Sequence, residues 1–289
     1  MKNSTIKTIV LAIAAGLGLF LVVWIFFKPV FLGNYQLSQS IHLGGLTIQY
    51  YGLILAIATL AGYWLAMRRS KEYGIESAEA DSIIFFLIVA GFIGARLYHV
   101  VVEYNFYIHN PIKILAVWNG GLSIYGVLIG GALALFLYQK YYAQQHTIWK
   151  LLDWLIPSVA LGQIIGRFGN FVNYELYGSP TNLPWKMFVP VQFRLAPYQL
   201  TRFFHPLFLY EAAGSLIILI LLLRFKPRVG GLFLMWLFLY NVMRFLLEQL
   251  RVGSVIYGGI RINGIVSLVL AVLAVTLYIK YVKPDSQNI

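Results

Sequence analysis

Two polar clusters interrupt an otherwise oily chain, and both hold residues suited to binding an anion. The first is Gly166-Arg167-Phe168-Gly169-Asn170-Phe171-Val172-Asn173-Tyr174-Glu175-Leu176-Tyr177-Gly178. On a helix end Arg167 and Asn170, three apart, share a face. A guanidinium presents a rigid fork of donors that matches phosphate oxygens. Gly166 and Gly169 would let the backbone come close to a ligand. The cluster therefore predicts a site for a phosphate headgroup. Close helix packing through small residues, with Arg167 reaching up to water, is the competing reading.

Tyr240, Arg244 and Glu248 recur every four residues, along one helical face, where Arg244 and Glu248 can pair. Charge at membrane depth is expensive, which favours function; the alternative is a structural ion pair locking two helices. A second arginine reaching the same cavity as Arg167 would hold a phosphodiester from two sides. His205-Pro206-Leu207-Phe208-Leu209-Tyr210-Glu211 places proline in a helix's first turn and a histidine outside it. Glu211, a turn or more inside, needs a partner, and an arginine would serve. Gly120–Gly131 and Gly94-Ala95-Arg96-Leu97-Tyr98-His99 add glycine-rich helix surfaces, a third arginine and a histidine, and Tyr50-Tyr51-Gly52 opens a further helix.

The elements that must carry these residues are membrane spans. Of the 289 residues, 60% are hydrophobic and only 11% charged, against about a quarter charged in soluble domains. Apolar runs near the span length of about 20 residues recur throughout, without the alternation of a barrel. The expected fold is an all-α polytopic membrane protein of about eight spans: 6–27, 49–67, 82–102, 121–138, 149–169, 205–223, 230–249 and 262–282. With both termini inside, twelve Lys or Arg fall on cytoplasmic segments and seven on external ones, the direction the positive-inside rule requires. Net charge of +12 is thus explained by topology and anionic headgroups, with no nucleic-acid partner. Lys2 and Lys7 before a long apolar run, with no small-x-small site before Lys28-Pro29, predict an uncleaved anchor. Residues 1–48 are expected to form this anchor and an external linker, and 49–289 a membrane domain. A proline-rich connection at about 170–204 is expected to form a small extracytoplasmic cap with short strands such as Trp185–Val189. Asp153 and Glu103 read as isolated charges at helix edges. No cysteine is present, which excludes thiolate metal sites and a cysteine nucleophile. No metal or cofactor is expected.

The sequence resembles the prolipoprotein diacylglyceryl transferase family. Gly166–Gly178 is similar to that family's signature, G-R-x-G-N-F-x-N-x-E-x-x-G, and the likeness extends to Tyr51-Gly52, Gly94–Leu97, Gly120–Gly131, His205–Glu211 and Tyr240–Glu248. It covers about 49–282. The resemblance implies a bacterial inner-membrane enzyme that moves the diacylglyceryl group of phosphatidylglycerol to a cysteine thiol. That cysteine lies in the lipobox of a prolipoprotein signal peptide, and glycerol phosphate leaves. It further implies Arg167, Arg244, Tyr125 and Glu248 as catalytic residues, and Tyr51, Arg96, Asn170, Glu175, Gly178, His205 and Tyr240 as substrate-binding ones. Membrane lipids surround the enzyme as further partners.

Three departures accompany the likeness. Tyr125 stands where the family commonly has histidine, within Ser123-Ile124-Tyr125-Gly126-Val127-Leu128-Ile129-Gly130. A tyrosine pKa near about 10, against about 6.5 for histidine, makes a poor general base. Tyr125 could orient substrate while His205 or a carboxylate takes the proton. Arg251-Val252-Gly253 replaces the family's arginine-x-proline, and the first span is additional to the family's seven. A non-catalytic paralogue that binds lipid or signal peptides, or a transporter, are the competing functions.

Overall fold

A computed structural model of the protein describes residues 25, 27–44, 46–117 and 120–282. All but the end of the expected first span, 6–27, lies outside the described residues. The other seven expected spans are helices: α1 Tyr50–Ser70, α2 Ser77–Val102, α4 Ile124–Tyr141, α5 Ile148–Val172, α6 Leu207–Arg224, α7 Gly231–Glu248 and α8 Ile262–Tyr281. The short α3, Tyr104–His109, lies between α2 and α4. Each of the seven is long and apolar enough to cross a bilayer. Their large exposed side chains agree: Leu60, Phe85, Val101 and Ile129 are each at least 60% exposed, a surface that water would not tolerate but hydrocarbon does. The protein is an all-α, multi-pass membrane protein.

By internal contacts the chain divides into two compact units. One comprises the described residues to Ala58, Gln163–Ile217 and Leu239–Val272; the other Thr59–Gly162, Ile218–Phe238 and the described residues from Leu273.

The first unit holds the aromatic core. Phe31, Phe171, Tyr174, Tyr177, Phe204 and Phe208 are buried together with Val30, Met187 and Val189. Phe171 and Phe208 stack with ring centroids 4.6 Å apart. This packing fixes the last turn of α5 against the first turn of α6, so polar residues beside Phe171 and Phe208 are positioned by apolar ones. Three two-stranded antiparallel pairs decorate the unit: β1 Ser40–Leu43 with β2 Leu46–Gln49, β3 Met187–Phe188 with β4 Phe203–Phe204, and β5 Ile256–Tyr257 with β6 Ile260–Arg261. The strand expected over Trp185–Val189 is thus shorter, because only Met187 and Phe188 find partners across the proline-rich connection. The β5–β6 turn is Gly258-Gly259 with φ of 56° and 81°, the left-handed pair a tight two-residue hairpin demands.

In the second unit, α2 and α4 cross through glycines. A Cβ on Gly126 would lie 2.1 Å from the Gly94 carbonyl oxygen, and one on Gly130 would lie 2.3 Å from the Ala90 carbonyl oxygen. The glycine-dense segment Gly120–Gly131 is therefore explained at Gly126 and Gly130 by backbone-to-backbone approach. Asp153 is not the isolated helix-edge charge that its sequence suggests. It is 3% exposed and accepts from Gly230 N–H at 2.6 Å and Phe233 N–H at 2.8 Å, neutralising the N-terminus of α7. The spacing of 77 residues hid that partnership.

The α2–α4 crossing gives a stability prediction. Gly126→Ala should lower stability by about 1–3 kcal/mol, as overpacking does, seen as a lower melting temperature in detergent, whereas Gly131→Ala, with no heavy atom within 4 Å of its Cβ, should not.

Candidate functional site

The two polar clusters meet in the first unit. Arg167 leaves the last two turns of α5, Glu211 the first turns of α6, and Tyr240, Arg244 and Glu248 one face of α7. Both arginines close on one carboxylate. Arg167 Nη2 lies 2.5 Å from Glu211 Oε2, and Arg244 Nη1 donates to Glu211 Oε1. Arg244 Nη2 also donates to Glu248 Oε2 at 2.9 Å, the pairing that the four-residue spacing predicted. Tyr240 Oη accepts from Arg167 Nη2 at 3.2 Å, so α7 touches both arginines.

The cluster is nearly dry. The Glu211 and Glu248 side chains are 3% and 0% exposed, while Arg167 and Arg244 keep 19% and 13%. The accessible part of these ion pairs thus belongs to the arginine side chains and not to the carboxylates. Removing one partner of such a buried pair costs about 3–5 kcal/mol, because the other charge is left unpaired.

A second layer orients these groups. Arg167 Nη1 donates to Asn170 Oδ1 at 3.2 Å, and Asn170 Nδ2 donates to Glu175 Oε1 at 2.8 Å. The helix must stop for Glu175 to reach back. It does so through Tyr174 and Leu176, whose φ values of 52° and 55° are left-handed and cost about 1–2 kcal/mol per residue outside glycine. Burial of Tyr174 at 1% exposure, and its hydroxyl accepting from Leu37 N–H at 2.7 Å, hold that strained turn. On the other side, Asn263 Nδ2 donates to Glu248 Oε1 at 3.2 Å. Arg261 Nη1 donates to the carbonyls of Glu248 and Arg251, both at 2.9 Å, and to Ser254 Oγ. The β5–β6 hairpin delivers Arg261. Arg251 Nη1 lies 3.6 Å from Glu248 Oε2, and its buried Nε has no hydrogen-bond partner among the described residues.

The remaining candidates have other surroundings. Tyr51 packs its ring on Gly169, where a Cβ would lie 2.5 Å away. Gly178 donates its N–H to the His205 carbonyl at 2.9 Å and leaves no room for a Cβ, which would meet His205 Cβ at 2.7 Å. His205 Nδ1 is 3.1 Å from Tyr210 Oη, and burial pushes its imidazole below the usual pKa, leaving it neutral at pH 7. Arg96 and Tyr125 belong to the second unit. Arg96 is 7% exposed and donates to the carbonyls of Ile114 at 2.7 Å, Gly120 at 2.8 Å, Gly121 at 2.9 Å and Lys113. Its contacts organise the loop that precedes α4. Tyr125 is 57% exposed, with its ring 5.8 Å from that of Tyr98. Among the described residues no group of three or more His, Cys, Asp or Glu could hold a metal ion.

The sequence matches the family described as prolipoprotein diacylglyceryl transferase over residues 38–280. It is 40% identical over 272 residues to the phosphatidylglycerol–prolipoprotein diacylglyceryl transferase of Thermotoga petrophila, covering 92% of each chain. The enzyme of that name from Fervidobacterium nodosum is 37% identical over 281 residues, covering 94% of each. That from Synechococcus elongatus is 38% identical over 238 residues, covering 79% of this chain and 82% of its own. The chain belongs to the prolipoprotein diacylglyceryl transferase family. As a member of that family it is a transferase.

Within this diacylglyceryl transferase, sequence reasoning left Glu211 out of the site and treated it as a charge in search of a partner. The structure makes it the residue that both arginines share. An ionisable residue about one turn inside a span was the available signal. The number of partners was not readable, because it depends on α5 and α7 converging on α6.

The Tyr51–Gly169 contact separates two neighbouring glycines. Gly169→Ala should lower the melting temperature of the detergent-purified protein. Gly166→Ala, with nothing within 4 Å of its Cβ, should leave it unchanged or slightly higher, as helical alanine gains about 0.5–1 kcal/mol over glycine.

Proposed function

We propose that the protein transfers the diacylglyceryl group of phosphatidylglycerol to the lipobox cysteine of prolipoprotein signal peptides, in the bacterial inner membrane. The relatives named for this reaction support it. The observation that carries it at the level of residues is the convergence of Arg167 and Arg244 on one carboxylate with their own side chains still partly open. A site that holds one carboxylate between two guanidiniums suits a phosphodiester in the same seat.

In this reading residues 1–48 anchor a catalytic membrane domain, both termini are cytoplasmic, and the site faces the outer leaflet. The excess of basic residues on the segments then inside supports that orientation. Arg167 and Arg244 bind the phosphodiester. The thiolate attacks the glycerol carbon that bears the phosphate, and the bond to the phosphate oxygen breaks. Negative charge grows on that oxygen, so arginines that grip it more strongly as the bond lengthens lower the barrier. Asn170, Glu175, Tyr240 and Glu248 keep the two guanidiniums aimed. Tyr51 and Gly178 shape the walls, and His205, neutral at pH 7, adds no competing charge. Holding lipid and cysteine in line supplies the proximity term. The acceptor brings the sulfur, which suits a chain without cysteine.

Purified protein, phosphatidylglycerol vesicles and a lipobox peptide should yield a peptide with the mass of a diacylglyceryl thioether. Arg167→Ala and Arg244→Ala should each reduce product formation at least 100-fold, as loss of one preorganised charge does, while still inserting in the membrane. Absence of product from folded wild-type protein would refute the reading, and wild-type rates in either variant would remove its mechanism.

A further inference from the structure

A proton has no assigned destination in this reaction, and Tyr125 is exposed, with its ring tilted against that of Tyr98 at 5.8 Å. The acidic groups of the arginine cluster are Glu175, Glu211 and Glu248. Glu175 is held by Asn170, and Glu248 is fully enclosed by Arg244, Asn263 and Arg251. Glu211 differs: its two partners are the two arginines proposed to take the phosphate.

Charge arithmetic points the same way. The ion pairs of the cluster join the guanidiniums of Arg167, Arg244 and Arg251 to the carboxylates of Glu211 and Glu248, three charges against two, leaving one positive charge in excess. That matches the single negative charge of a phosphodiester. The reaction converts this diester into a phosphomonoester with a second negative charge, and protonation of one carboxylate in the cluster would match it. A buried carboxylate deprived of its cations is also a strong proton acceptor.

We propose that Glu211 takes the thiol proton: the donor's phosphate displaces its carboxylate from Arg167 and Arg244, and the freed carboxylate accepts the proton as sulfur attacks. The inference rests on the reaction proposed above. The S–H bond breaks with its proton moving to a Glu211 oxygen, the S–C bond forms at the glycerol carbon, and the C–O bond breaks with its electron pair going to phosphate. The proton then passes to the departing phosphomonoester, and the Glu211 carboxylate closes again on the arginines. A second observation fits the displaced position. Ser215 lies one turn along α6 on the face of Glu211, is 1% exposed, and its hydroxyl has no hydrogen-bond partner among the described residues. A carboxyl group swung off the arginines would satisfy it.

The test uses full-length protein, phosphatidylglycerol vesicles and a cysteine peptide, with rates followed from pH 7 to 9. Glu211→Gln should lower turnover about 100-fold or more at pH 7, within the range of general-base catalysis, while KM for phosphatidylglycerol stays the same or falls because a competitor for the arginines is gone. Its deficit should shrink about tenfold per pH unit as the peptide thiol ionises toward its pKa of about 8.5. The wild type should show no such rise, and Glu211→Asp should keep the wild-type profile at a lower rate. Unchanged turnover in Glu211→Gln, a deficit that alkaline pH does not relieve, or a raised KM with unchanged kcat would overturn the proposal. Should Glu211→Gln fail to fold, a tenfold rise per pH unit in the wild type or in Glu211→Asp would overturn it just as well. An inactive wild type removes the underlying reaction; an active one leaves Glu211 alone on trial.

Discussion

One carboxylate shared by two guanidiniums organises the first unit of this protein. Glu211 is buried where an unpaired charge would be costly, and its ion pairs with Arg167 and Arg244 make that burial tolerable. The arginines in turn can share one site because an anion lies between them, since two cations alone repel. The constraint is mutual. Whatever replaces Glu211 in that seat must be an anion of similar size and must offer oxygens to both forks.

Much of the remaining architecture keeps that seat in place. The aromatic stack of Phe171 on Phe208 fixes the end of α5 beside the start of α6. A left-handed turn at Tyr174 and Leu176 sends Glu175 back toward Asn170, and so toward Arg167. The β5–β6 hairpin places Arg261 across the carbonyls at the end of α7, closing the cluster around Glu248. Strain in the α5 exit and the desolvation of Glu211 and Glu248 are offset by apolar packing that does not itself take part in chemistry.

The parts of this site that were legible in the sequence are those written by helical periodicity. Arg167 with Asn170, and Arg244 with Glu248, follow from spacings of three and four, and the seven described spans follow from apolar run length. What escaped depends on contacts between distant segments. Asp153 looked isolated because its partners, the N–H groups of Gly230 and Phe233, are backbone atoms that any residue carries. The four loop carbonyls that Arg96 meets were equally hidden, because backbone groups leave no trace in side-chain identity. Hidden as well was that the strand after the Gly258-Gly259 turn carries an arginine into the cluster.

The most direct test is an experimental structure of the wild-type protein with phosphatidylglycerol bound, in lipid nanodiscs, at a resolution that places side chains. The phosphate should lie between Arg167 and Arg244, with its oxygens in hydrogen-bond reach of both, and Glu211 should have left at least one of the two guanidiniums. A phosphate bound elsewhere, with both arginines still closed on Glu211, would contradict the account.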